Sequence, residues 1–526
     1  MNLNQPQPLI ITKYSDVSNP VIYLKNQLKS PQSIYLDEYL IGLGAKTIIV
    51  EQNYFDRDYL DEFSAFYCLS AKGYPNTCKR VHFFSSENIT KDLFKNAIGA
   101  DTNSLEELNS SYLGFTVIRP IETAPFGRTV LKWYVDRSPD TPRVTNPSRE
   151  YISNIAGIEL KVIGLAWQQQ DTGVAACATI GIWSMLHSSA FDTRHAIPTT
   201  SMITEAANNT VPAGNRIYPS YSLSYIQIQE AINQLGFSPA VSGGNMPGQF
   251  FSKERFANTC AAYIRSGYPL LIGGMHDDSS LVGHAICAVG FREAAPIKDI
   301  ADGKIYLQDA HTDYIYIHDD NIGPNVRFKI VEENYVMSNG KQENRCVLVS
   351  ETPDYLAQND KPNRAITRFI PSMIITAVHK DLRVSSDLFF QTGIELTNQI
   401  NSAFNSLLEA NQQEKQSLVC STRFIMLKDY LRSELGRQLD QQPKLLASTR
   451  LQLQENIPPM SLHLAILRIA LPNASVLVDV IFDTTDTDRN RSVFCHVVFD
   501  KNLSSLLSVL DENQVKKIMG LHVQAF

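Results

Sequence analysis

The chain has 526 residues, 44% of them hydrophobic and 19% charged, with a net charge of −7. That is the balance of a folded protein, too long for one core and suited to two to four domains. Lysine and arginine are scattered without a basic block, which argues against nucleic acid as a partner. No apolar run reaches the ~18 residues of a membrane helix. The opening MNLNQPQPLIITKYSD lacks the charged-then-apolar order of a signal peptide. No membrane partner is therefore expected.

Eight cysteines, at 68, 78, 177, 260, 287, 346, 420 and 495, include no C-x-x-C pair. Structural zinc is not expected. Several sit in apolar runs, such as Ile286-Cys287-Ala288-Val289, and read as packed thiols. This usage suits a reducing compartment, so a cytoplasmic location is expected.

Residues 1–165 read as a β-rich region. Strands are predicted at 9–11, 21–24, 47–50, 81–84, 114–118 and 128–131, punctuated by Pro, Asn, Asp and Gly. One helix, 56–71, carries Tyr59, Phe63, Phe66 and Tyr67 at helical spacing. From 166 to 380 the pattern becomes helices, then strands. Helices are predicted at 174–191, 201–208, 222–235 and 253–266, the last closed by Gly267. Strands follow at 269–272, 284–291, 304–308, 314–317, 326–331 and 346–350, and 366–378 reads as extended chain. Residues 381–526 read as a separate α+β unit with helices near 387–409, 427–439 and 504–519. A hairpin there joins 476–482 to 492–499. The fold class is α+β, with no tandem repeat.

Cys177 is the residue that most requires a reason. Three glutamines, Gln168 to Gln170, precede it in a loop, and a helix follows it. A free cysteine is most often a buried packing residue. One at a helix N-terminus instead faces orphan N–H groups and the positive end of the helix dipole, which favour a thiolate. A thiolate nucleophile needs a base and a group to orient that base. His284 begins the buried run His284-Ala285-Ile286-Cys287-Ala288-Val289-Gly290-Phe291, where it can reach a cleft while the rest packs. Asp319, at the tip of the strand Tyr314-Ile315-Tyr316-Ile317-His318, is the candidate orienting acid, with Asp320 and Asp309 as competitors. The alternative is that Asp319 and Asp320 only shape a turn before Gly323-Pro324. Gln170 is the candidate oxyanion donor, with Gln169 as competitor. His311 and His318 beside these acids could suggest a metal. The composition of a strand tip accounts for them without one, so neither metal nor cofactor is expected.

Gln170, Cys177, the His284-Ala-Ile-Cys-Ala-Val-Gly strand and the Asp319 tip resemble the papain-like cysteine peptidase superfamily. They look most like its bacterial double-glycine-leader-peptidase-like branch. The resemblance covers roughly residues 165–350. It implies a papain-like core of helices followed by a twisted antiparallel sheet, and a Cys-His-Asp triad. That branch usually has Asp-Cys-Gly at the nucleophile, where Ala176 and Ala178 flank Cys177 here. Its glutamine normally falls near position 171, which is Asp here. The interval from His284 to Asp319 is also longer than usual, which keeps Asp309 in play.

The reading implied is a cytoplasmic cysteine peptidase acting on a peptide or protein, with the C-terminal unit recognising the substrate. The same triad would serve a transglutaminase or deamidase. An inert papain-like interaction module is the non-enzymatic alternative.

Overall fold

A computed structural model of the chain describes residues 10–13, 24, 28, 30–136, 138, 141–171, 173–192, 196–210, 216–246, 249–277, 283–295, 303–337, 339–351, 367–383, 386–456, 462–472, 475–485, 493–501, 503–504 and 521–525. The fold is α+β. Among the described residues no helix is long and apolar enough to cross a membrane.

The first sheet is antiparallel. Its strands, in spatial and chain order, are β1 (Ile10–Lys13), β2 (Thr47–Tyr54), β3 (Cys78–Phe84), β4 (Tyr112–Ile118) and β5 (Phe126–Leu131). Between them, among the described residues, run the helices α1 (Pro31–Gly42), α2 (Arg57–Ala65), α3 (Lys91–Ile98) and α4 (Thr102–Ser111). Only α2 was legible as a helix from apolar spacing. The other three start at local signals. Pro31 opens α1, Thr90 accepts the Leu93 N–H to cap α3, and Asp101 accepts the Ser104 N–H to cap α4. Leu24, expected in a strand, is helical, and residues 21–23 lie outside the described residues.

A two-residue strand, β6 (Arg143–Val144), and a hairpin of β7 (Arg149–Ile155) and β8 (Ile158–Gly164) lead into the central body. Its helices are α5 (Cys177–Leu186), α6 (Thr200–Asn208), α7 (Tyr225–Gln234) and α8 (Lys253–Arg265), with β9 (Ser238–Gly243) between the last two. Helix α8 stops because Gly267 takes φ +86°. Its N–H then bonds Ile264 O at 3.0 Å, and Tyr268 N bonds Tyr263 O at 3.0 Å.

The strands that follow are β10 (Leu270–His276), β11 (Gly283–Arg292), β12 (Ile305–Leu307), β13 (Tyr314–Asp319), β14 (Gly323–Val336), β15 (Gln342–Ser350) and β16 (Arg368–Val378). The order β10-β11-β13-β14-β15-β16 returns to β10, so the sheet closes on itself, with β9 added beside β16 and β6 beside β11. Strand β11 is buried from His284 to Arg292 and carries α5 and α8 against it. A strand covered on both faces reads as a continuous apolar run, which is what made it visible.

The C-terminal part comprises α9 (Ser386–Ala410), β17 (Leu418–Met426), a helical stretch at 427–438, α10 (Pro443–Asn456), β18 (His463–Ala470), β19 (Val476–Asp483), β20 (Val493–Val498) and β21 (Leu521–Gln524). The expected hairpin is β19–β20. The expected 504–519 helix lies outside the described residues apart from Ser504. Strand β12 leaves the central body to pair in parallel with β17, so the C-terminal sheet runs β12-β17-β18-β19-β20-β21. Alternate residues split its two faces. Ala465, Leu467 and Ile469 join the main core with α9, while Leu464 and Ile466 join a smaller core with 427–438 and α10.

One buried ionic cluster ties the first sheet to the central body. Arg119, just past β4, has its side chain 1% exposed and contacts Glu62 of α2 at 2.9 Å and Asp171 at 3.4 Å. Its other nitrogen donates to Ala124 O and Gln169 O, both at 2.9 Å. Glu62 also accepts Gln168 Nε2 and Thr200 Oγ1, both at 2.7 Å. Burial, opposed by Arg119 and reinforced by Asp171, pushes the Glu62 carboxyl up to about 7. Replacing Arg119 by Met strands two carboxylates in the interior. Loss of about 3–5 kcal/mol of stability is expected, read as the shift in urea unfolding. A change below about 1 kcal/mol, the scale of an exposed ion pair, would contradict this role.

Candidate active site

The Gln loop is held at both ends. Trp167 is buried and exchanges two backbone bonds with Thr129 of β5, at 2.8 and 2.9 Å. Four residues later, the Asp171 carboxylate accepts the N–H groups of Gly173 at 2.7 Å, Val174 at 2.6 Å and Ala175 at 3.3 Å. The other oxygen of that carboxylate faces Arg119. This winds the chain into the start of α5, where Cys177 is the first helical residue. Ala176, at the N-cap, offers no side-chain acceptor, so the first-turn N–H groups stay uncapped by it.

The three glutamines have different fates. Gln168 donates to Glu62, and Gln169 is bound at Phe126 N and Thr123 O. Gln170 is half-buried, and among the described residues its side chain makes no hydrogen bond.

Asp319 ends β13 and opens a tight turn into β14, with Asp319 opposite Gly323 in register. Its Oδ1 accepts Asn321 N at 2.9 Å and its carbonyl accepts Ile322 N at 3.1 Å. The turn reading and the orienting reading therefore coexist in one carboxylate. The turn is fixed from outside as well. The Trp167 indole donates to Asp319 O at 3.0 Å, Gln32 donates to Asp320 O at 2.9 Å, and the Tyr35 hydroxyl donates to Pro324 O at 2.7 Å. Tyr35 lies so close that a Cβ on Gly323 would sit 2.1 Å from its ring, which is why this position is glycine.

His284 stands at the head of β11, 8% exposed. Its Nε2 is 3.4 Å from Asp319 Oδ1, 3.5 Å from Asp320 Oδ1 and 3.2 Å from the Asn321 amide. The Cys177 thiol lies near enough to the His284 ring to act on its protonation. Cys177, His284, Asp319 and Asp320 are thus brought together. Asp309 is not: it sits on a 3₁₀ turn and pairs with Arg265 at 2.6 Å. His318 is also apart. It donates to Leu165 O at 3.2 Å, accepts Asn325 N at 3.1 Å, and burial pulls its pKa down to about 3.

Three further groups were not foreseen. His276 of β10 stacks on His284 with ring centroids 5.0 Å apart, and Phe369 meets the His284 ring edge-on at 6.3 Å. Gly274 is the register partner of His284, so His276 falls two residues along on the same face. That pairing is long-range and was invisible locally. The third group, Asn321, could have been read from its place in the acidic turn.

Burial alone would make the His284 imidazolium unfavourable. The Asp320 and Asp319 carboxylates, helped by the neighbouring Cys177 thiol, override it and hold the pKa well above the usual imidazole range. The two acids are driven apart. Burial and the Asp319 charge push Asp320 up to about 7 against the pull of His284. For Asp319, burial is outweighed by His284 and the Asn321 N–H, and its pKa falls. They titrate as a pair. Among the described residues, His284, Asp319 and Asp320 also form a group whose donor atoms lie within 4.8 Å of one another, the spacing of a cation site. Two carboxylates and an imidazole would be its ligands.

Ring NMR of labelled His284 is expected to show titration above 6.5, the unperturbed value, and Asp320→Asn is expected to lower that midpoint. A native midpoint at or below 6.5, or no shift in the variant, would contradict this electrostatic account.

A scan against protein-family models finds no match for this chain, and a search of curated proteins finds no similar sequence.

Proposed function

We propose that the chain is a cysteine hydrolase of papain-like type that cleaves amide bonds in a peptide or protein. The observation that carries this is the Cys177 thiol, first in its helix and acting on the protonation of His284, which is backed by Asp319 at 3.4 Å. The order of helices α5–α8 before the closed sheet, with α5 packed on β11, supports the papain-like assignment.

In the proposed cycle His284 takes the thiol proton and Cys177 sulfur adds to the substrate carbonyl. Negative charge develops on the carbonyl oxygen, where the Cys177 N–H and the Gln170 amide are the proposed donors. His284 gives its proton to the leaving amine, and the C–N bond breaks to leave a thioester. Water, deprotonated by His284, then releases the acid. Asp319 accepts a proton-bearing edge of the ring and orients it; Asp320 raises its basicity. All eight cysteines are free thiols, which supports work in a reducing compartment.

Peptide-library digestion followed by mass spectrometry is the test. New peptide termini are expected from the native chain, with rates cut by about a thousandfold or more in Cys177→Ala and His284→Gln, on the scale of triad deletions. Asp319→Asn is expected to fall between these and native. Undiminished cleavage by Cys177→Ala would overturn the proposal. A gain of ~1 Da or a crosslink at Gln, with no fragments, would instead assign acyl transfer from Gln, because a different nucleophile or bond then resolves the thioester.

A further inference from the structure

A cavity of about 520 Å³ lies between the central body and the C-terminal sheet, and no residue of the Cys177–His284 site lines it. Five arginines line it, Arg143, Arg265, Arg423, Arg437 and Arg468, against two carboxylates, Glu293 and Glu434. The sheet supplies them by alternation. Ser421 and Arg423 of β17 and Arg468 of β18 share the face opposite the main core.

The acids near these arginines are unevenly distributed. Arg468 is held by Asp479 through two bonds of 2.8 Å. Arg265 has Glu293 at 2.5 Å and Asp309 at 2.6 Å, and Arg143 has Asp136 at 3.7 Å. That leaves Glu434 to serve Arg423 at 2.7 Å, Arg468 at 3.1 Å and Arg437 at 3.7 Å. Among the described residues, Arg423 and Arg437 therefore have Glu434 as their one carboxylate partner, and they share it with Arg468. Burial, and then repulsion from Arg468, push Arg423 down to about 10 despite Glu434. Among the described residues, Arg143 Nη1, Arg265 Nε and Arg423 Nε are buried N–H donors with no acceptor. Concentrated guanidinium charge with unspent donors is costly to bury unless an anion completes it, and forked guanidinium donors match phosphate oxygens.

We propose that this cavity binds a compact anion bearing two or more linked phosphate groups. Arg423, Arg437 and Arg468 would grip it from the C-terminal sheet, and Arg143 and Arg265 from the central body. The space exceeds one phosphate and falls in the range of small-molecule sites. An anion there bridges the two parts of the chain, so it stabilises the folded state by mass action. The inference is independent of the thiol chemistry.

The test is calorimetric titration and thermal unfolding of the full chain with inorganic pyrophosphate, ADP and orthophosphate. Pyrophosphate and ADP are expected to bind and to raise Tm, with orthophosphate about tenfold weaker and all affinities falling as salt rises. Equal affinity for the first two assigns the site to the linked phosphates alone; tighter ADP binding adds a nucleoside contribution; both support the proposal. Arg423→Gln is expected to weaken pyrophosphate about tenfold or more. Arg437, 70% exposed, can be replaced without burying a void, so Arg437→Gln decides the matter if the other variant fails to fold; a loss of about threefold or more is expected. The exposed Lys444→Gln serves as control. No binding of pyrophosphate or ADP at millimolar concentration would overturn the proposal. So would native affinity in Arg437→Gln.

Discussion

The buried Arg119 guanidinium is the constraint on which the site depends. It holds two carboxylates, Glu62 and Asp171, from different parts of the chain, and each does a second job. Glu62 anchors Gln168 and Thr200, while Asp171 winds the segment 173–175 that delivers Cys177 to its helix. A lone ionised group would be prohibitive at this depth, and the cluster is tolerated because nearly every lone pair is spoken for. Of the guanidinium nitrogens, only Nε has no acceptor among the described residues. The region before residue 166 is thus part of what shapes the thiol loop.

The opposite wall is built on the same logic at lower charge. The 319–323 turn would be a free strand tip in isolation. Trp167, Gln32 and Tyr35 hold its backbone from three directions, and Gly323 lets the tyrosine ring close on it. With the backbone fixed, two adjacent carboxylates point at one imidazole edge and separate in acidity: one stays ionised and the other rises toward neutrality. This is how a shared, dry site divides roles between identical groups.

Cys177 and His284 could be singled out from sequence because their marks are local: a Gln loop before a helix, and a Gly-flanked apolar strand. Asp319 could only be ranked against Asp320 and Asp309, because which acid meets His284 is decided by the pairing of β11 with β13, a contact between distant segments. Gln168, Gln169 and Gln170 look alike in sequence, and their separate fates are set by Glu62, Phe126 and Thr123, all far away in the chain. Helices α3 and α4 are marked chiefly by their caps, Thr90 and Asp101, rather than by a run of aromatic residues at helical spacing such as α2 carries. Strand β18 is buried on both faces apart from its end, so it shows no two-residue alternation to announce it. The five cavity arginines are spread from 143 to 468, and no basic run betrays them.

The central claim is that His284 activates Cys177, and alkylation kinetics test it without knowledge of a substrate. Six other cysteines are buried, with burial pushing their thiols upward, Cys420 and Cys495 to about 12. Only Cys68 is exposed, and Cys68→Ser removes it. In that background at pH 6, iodoacetamide is expected to alkylate Cys177 at least about tenfold faster with His284 present than in His284→Gln, because the imidazolium favours the thiolate. Equal rates in the two proteins would mean that the pair does not operate as nucleophile and base.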